Sequence, residues 1–167
     1  MTDDSPSSRD LQSGIRRAYT LIFLMLMEAI EEHGTDRALE MLQRAVEKQA
    51  DVIARELRPK MPTGLSSLDL GLEVYRRFMT DIGAEVDIHS RDETSVTVVV
   101  RRCPFFEAFL DIEVDCSQFL GGLCTNMTMP AVQATLIRFD QRLRLEPQMV
   151  RQSAEDICLE RIYLEDA

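Results

Sequence analysis

The sequence predicts an α+β fold: an N-terminal helical hairpin, then an antiparallel sheet of about four strands with inserted helices. Three observations predict it. Apolar residues recur at helical spacing through the first third of the chain. Two strand-like runs, Glu85–His89 and Thr94–Arg101, follow each other across a four-residue turn. Two late runs, Leu136–Leu145 and Asp156–Tyr163, mostly alternate apolar with polar residues, as on a half-exposed sheet.

Residues 1–8 are acidic and Ser-rich, with no basic stretch or small-residue cleavage site, and are expected to form a disordered tail. Helix one is expected from Arg9 to Glu32, ended by His33-Gly34. Its centre, Leu21-Ile22-Phe23-Leu24-Met25-Leu26-Met27, is the most apolar run in the chain but is closed by Glu28, Glu31 and Glu32. That is too short to span a bilayer. It suits a helix buried on all sides, inside the fold or at a subunit interface, and makes a homo-oligomer through this helix the expectation. Helix two should start after Thr35 as cap and run to Leu57. Ala38, Leu39, Leu42, Ala45, Val46, Ala50, Ile53 and Ala54 give it one apolar face.

Arg58-Pro59-Lys60-Met61-Pro62-Thr63-Gly64 is the clearest linker. It divides a helical hairpin, residues 9–58, from a cysteine-containing α+β domain, residues 64–167, the two expected to pack as one unit. Helix three is expected over Ser67–Asp81, ended by Gly83, and the turn between the first two strands over Ser90-Arg91-Asp92-Glu93. Thr94 to Val100 is dense in β-branched residues. The next run, Pro104-Phe105-Phe106-Glu107-Ala108-Phe109-Leu110, reads as a helix with Pro at its first position. Cys116 to Leu136 reads mostly as helix, interrupted near Gly121-Gly122 and at Pro130.

The 167 residues carry a net charge of −10, with 45% hydrophobic and 29% charged residues, an ordinary globular composition. The charge argues against nucleic acid as a partner, since phosphate binding needs a clustered basic surface. The Arg-Arg pairs at 16–17, 76–77 and 101–102 are short and flanked by acids or apolar residues. The four cysteines, 103, 116, 124 and 158, lie in the C-terminal part, and without a secretory signal reduced thiols in the cytoplasm are the default.

Cys103-Pro104 is the most informative pair. A thiol where a strand ends and a helix begins faces free N–H groups and the positive end of the helix dipole, which favours thiolate. That serves either a nucleophile or a metal ligand. Glu107, one turn on, and the Glu113/Asp115 pair are the nearest acid–base candidates. His89 falls at the far end of the hairpin from Cys103 and is a poor partner for it.

The segment 113–124 concentrates carboxylates and thiols. On one straight helix Cys116 and Cys124 would lie about 12 Å apart. A break at Gly121-Gly122 would let them converge with Cys103 and Cys158 in a thiolate-rich zinc or iron site. Equally, Cys116, Cys124 and Cys158 fit as small buried hydrophobes. Met127 and Met129 are candidates for lining a ligand cavity or for core.

The order helices, strand–Cys103-Pro104–helix, Cys116/Cys124 segment and final strand pair with Cys158 resembles the L-2-amino-thiazoline-4-carboxylic acid hydrolase-like proteins. More distantly it resembles the 4-vinyl-reductase-type ligand-binding domains. The resemblance covers roughly residues 35–165. Those families carry a Gly-Asp-x-x-Cys-like turn before the last strand; here it is Ala154-Glu155-Asp156-Ile157-Cys158, without the glycine. Glu113, Cys116 and Cys124 reproduce the Glu-x-x-Cys-x7-Cys zinc spacing of the vinyl-reductase type, earlier in the domain.

The resemblance implies a hydrolase that opens a C–N bond of a small cyclic amidine or heterocyclic acid in a thiol-containing pocket. Its catalytic residues would be Cys103 with Glu107, Glu113 or Asp115. The alternative is a small-molecule- or metal-binding sensor or accessory module using Cys103, Cys116, Cys124 and Cys158.

Overall fold

A computed structural model describes residues 8–112, 124–153 and 155–165. Helix α1 (Ser8–His33) turns into α2 (Thr35–Leu57) through one residue, Gly34, whose φ of +81° is the left-handed conformation that only glycine adopts without strain. Gly34, not Thr35, occupies the cap position, and Thr35 is already helical. The linker forms a short 3₁₀ turn, Arg58–Lys60. Helix α3 (Ser67–Asp81) keeps its expected bounds; the Ser66 hydroxyl accepts the Asp69 amide at 3.2 Å and caps it.

Strands β1 (Glu85–Arg91) and β2 (Ser95–Arg102) form an antiparallel pair. Their turn lies later than the sequence suggests, because the Asp92 carboxylate accepts from the amides and hydroxyls of Thr94 and Ser95 at 2.7–2.9 Å. Helix α4 (Pro104–Leu110) follows directly after Cys103. A π-helical turn, Cys124–Thr128, runs without a break into α5 (Met129–Leu136). Pro130 sits where the π-helical turn passes into α5, and the helix continues through it to Leu136.

The expected strand from Leu136 is corrected. Leu136 ends α5, and residues 137–139 still bond back to residues 133–136 in helical fashion. Asp140 then takes the Arg142 amide in a turn. The strand β3 is Leu143–Met149, and β4 is Cys158–Leu164.

All pairings are antiparallel, in the order β1-β2-β4-β3. Val96, Val98 and Val100 of β2 stand opposite Ile162, Glu160 and Cys158 of β4 and share their face. Helix α3 lies across that face and touches all four strands. At Gly71 of α3 an added Cβ would meet Leu143 Cδ2 at 2.5 Å, so only glycine permits this approach. Helix α2 packs on α5, and α1 packs on α2 and α4. Pro147 is tolerated because β3 is an edge strand.

The apolar run of α1 is not buried on all sides. Phe23 and Leu26 are inside, and Phe23 sets its ring edge-on to Phe105 and Phe109 of α4 at 4.7 and 5.3 Å. Leu21, Ile22, Leu24 and Met25 are exposed, Met25 by 64%. Among the described residues, no helix is long and apolar enough to cross a membrane.

Candidate functional site

Cys103 closes β2 in extended conformation and occupies the cap position of α4. It is 8% exposed. Burial pushes its thiol pKa up, against the pull of the Phe106 amide, the Arg151 charge and the Phe105 amide. The sulfur makes no capping hydrogen bond, so those amides act on it only as nearby dipoles. The thiolate expected from the helix start is therefore corrected: desolvation outweighs the end of a seven-residue helix, and the resting group is a thiol.

Under α3 the β2–β4 pair buries several polar side chains. Glu160 on β4 shares the inner face with Cys158, and Tyr75 of α3 reaches it from above, donating its hydroxyl to Glu160 Oε2 at 2.7 Å. Burial raises the Glu160 pKa, while the Tyr75 hydrogen bond and then Arg151 pull it back. Tyr75 is raised by burial first, then by Glu160, Cys158 and Cys103. Cys124, at the head of the π-helical turn, is pushed up to about 12 by burial, with Cys103, Cys158 and Glu160 adding to it. Tyr75 and Cys124 thus each feel Glu160 and the neighbouring thiols Cys103 and Cys158. Cys103, Cys124 and Cys158 are all free thiols.

Arg151 completes the cluster from the loop between β3 and β4. It is 4% exposed. Its Nη2 donates to the carbonyls of Val100 and Arg101, at 2.7 Å each, and the guanidinium lies 5.4 Å from the Phe106 ring centre. Its Nε is buried with no partner, and among the described residues no carboxylate forms an ion pair with it.

A cavity of about 390 Å³ lies beside α4, between α1, α2, α3 and α5. Tyr19, Phe78, Phe105, Met127 and Ala131 make it largely apolar, and Thr128 Oγ1 on its wall is buried without a partner. Tyr19 is pushed up to about 12 by burial first and then by Cys103. Met129 lines a separate groove of about 600 Å³ between α2, α5 and β3.

Of the acid–base candidates, Glu107 is engaged elsewhere: Arg102 Nε and Nη2 donate to its two carboxylate oxygens at 2.7 and 2.9 Å. Glu113, Asp115 and Cys116 lie outside the described residues. Among the described residues, no three His, Cys, Asp or Glu side chains are grouped to hold a metal. The arginine doublets are interleaved with acids, Arg16 with Asp111, Arg77 with Glu73, Arg101 with Asp87 and Arg102 with Glu107. Sequence reasoning missed Glu160, Tyr75 and Arg151. Glu160 carried a signal: in the alternating run it shares parity with Cys158 and Ile162, the inward positions. Tyr75 and Arg151 carried none.

A family model described as "L-2-amino-thiazoline-4-carboxylic acid hydrolase" matches residues 15–149. Cys103 falls inside the match; Arg151, Cys158 and Glu160 fall beyond it. No curated protein matches. Among solved structures the chain is similar to a trafficking protein particle complex subunit 3 from Naegleria fowleri covalently bound to palmitic acid. The likeness has a TM-score of 0.58 at 14% identity and covers 92% of this chain and 96% of that one, which establishes the fold alone.

Proposed function

The chain belongs to the L-2-amino-thiazoline-4-carboxylic acid hydrolase family, and from that premise we propose that it opens a C–N bond of a small cyclic amidine acid using Cys103 as nucleophile. The observation that carries this reading is the burial of Cys103 at the β2–α4 junction, within electrostatic reach of Tyr75, which donates to the buried Glu160. In the proposed reaction the thiol attacks the amidine carbon and its proton passes to an amidine nitrogen. Glu160, biased by burial towards holding a proton, protonates the ring nitrogen as its C–N bond breaks. Water then releases the product from the sulfur. Glu160 replaces Glu107 as the proposed acid–base group, because Glu107 is clamped by Arg102.

The test is incubation with 2-amino-thiazoline-4-carboxylate, followed by mass spectrometry for a product heavier by one water. Wild type should turn over and Cys103→Ser should not. Unchanged turnover in Cys103→Ser would refute the assignment.

A second reading is favoured by the apolar cavity beside α4, whose wall includes Tyr19 and Phe105. There the same thiol carries a fatty acyl group as a thioester, its chain in the cavity; the similar trafficking subunit is itself covalently bound to palmitic acid. An intact-mass increment removed by hydroxylamine would support it, and its absence from protein purified from the native cell would count against it. Under either reading the free thiols belong to a reducing, cytoplasmic compartment. The exposed side of α1 is proposed to meet a second copy of the chain.

A further inference from the structure

We propose that Arg151 is the anchor for the ligand's carboxylate, its orphan Nε–H donating to one carboxylate oxygen beside Cys103. This rests on the proposed acid-ligand class above.

A buried guanidinium needs a partner for its charge, because removing a cation from water without one is costly. Two backbone carbonyls satisfy Nη2 and fix the plane of the group, and the Phe106 ring supports it. These contacts orient Arg151 without neutralising it. Glu160, the buried carboxyl of the cluster, is taken by Tyr75, and its burial favours the uncharged form. Asp156 accepts the amides of Gln152 and Ser153 and feels the Arg151 charge, but among the described residues it makes no ion pair with Arg151. The neighbouring thiols Cys103 and Cys124 are held towards their neutral forms. Among the described residues Arg151 therefore keeps a buried Nε–H without a partner and no carboxylate at ion-pair distance, although Asp156 and Glu160 feel its charge.

An anionic ligand group answers that imbalance, and a carboxylate matches it in charge and in planar geometry. The placement also suits the chemistry. Arg151 bonds to the carbonyls of residues 100 and 101, three and two residues before the nucleophile, and its charge acts on Cys103. In a chain of net charge −10 the long-range field repels acids, so recognition must come from a local, desolvated contact of this kind.

The test measures binding, separately from turnover, in the Cys103→Ser protein. The probes are 2-amino-thiazoline-4-carboxylate and 2-amino-thiazoline, which lacks only the carboxylate. The acid should bind about ten- to a hundred-fold more tightly. Arg151→Met should abolish that preference and leave binding of 2-amino-thiazoline unchanged, a pattern that loss of a merely structural contact would not give. If Arg151→Met does not fold, the Arg151 Nε–H resonance of Cys103→Ser decides: it should move on adding the acid and stay fixed with 2-amino-thiazoline. Equal affinity for the two probes, or an unmoved Nε–H signal, overturns the proposal. Preferential acid binding in Cys103→Ser with no turnover by wild type leaves the anchor standing and removes the hydrolase. Turnover by wild type without a carboxylate preference does the reverse.

Discussion

Replacing Tyr75 with Phe removes a single oxygen and tests the buried cluster directly. Tyr75 is 0% exposed, Glu160 is 7% exposed, and the phenol donates to Glu160 Oε2 at 2.7 Å. Among the described residues no other side chain or amide donates to that carboxyl. Without the hydroxyl, Glu160 stays buried and loses its partner, at a cost of about 1–3 kcal/mol. For a chain of this size that is a fall in Tm of about 2–12 °C.

The pH dependence has a fixed sign. Burial holds the folded pKa of Glu160 above its ordinary 4.5, so its contribution to stability is complete below 4.5 and is lost as pH rises through the folded value. Tyr75 draws that value down. Removing it raises the value further, so Tyr75→Phe should cost more at about pH 8 than at about pH 5. Because the chain has no tryptophan, urea unfolding is best followed by far-UV circular dichroism at both pH values. In a Glu160→Gln background the carboxamide keeps an acceptor but cannot ionise, and the difference between the two pH values should vanish. A loss that is the same at both pH values and is untouched by Glu160→Gln would refute the coupling.

Three other outcomes are expected. Alkylation of Cys103 by iodoacetamide, read by peptide mass spectrometry, should be slow at about pH 7 and still rising above the ordinary thiol range near 8.5, since burial raises this thiol; a plateau below about pH 7 would contradict that. Gly71→Ala should destabilise by about 1–3 kcal/mol in chemical unfolding, because its Cβ meets the fully buried Leu143 at 2.5 Å; an unchanged midpoint would show that α3 can lift from β3 at no cost. Leu24, 43% exposed, tolerates a charge within one chain, so Leu24→Glu should fold and run as a monomer in sedimentation while wild type runs as a dimer; equal mass for both would dismiss the α1 interface.

Much of the fold was legible because its signals are local. Helical periodicity gave α2 and α3, and β-branched density followed by Cys103-Pro104 gave β2 and α4 with their junction. The misplaced third strand shows the limit: Ile137 to Leu143 alternates well enough for a strand, but backbone bonds inherited from α5 and the Asp140 turn claim that stretch. Electrostatics misled where burial decides. Pro at the first helical position and a short-range dipole were visible, whereas Cys103 is buried in a core it shares with Phe23 of α1, Tyr75 of α3 and Cys158 of β4, all distant in sequence. The site was half legible for the same reason. The thiols stood out by type, but Tyr75 meets Glu160 across 85 positions and Arg151 meets Val100 across 51, and no local pattern encodes either contact.

The strand order carries a consequence for biosynthesis. β4 is the last of the four strands to be made and yet lies between β2 and β3. Until it inserts, β2 has one free edge and β3 has no strand to pair with, so the sheet cannot close while the earlier elements leave the ribosome. Glu160 and Cys158 arrive with that strand, and Arg151 only shortly before it. A chain without β4 thus lacks Glu160 and Cys158 and a complete sheet. Tyr75 therefore finds its buried acceptor, Glu160, only once β4 takes its place.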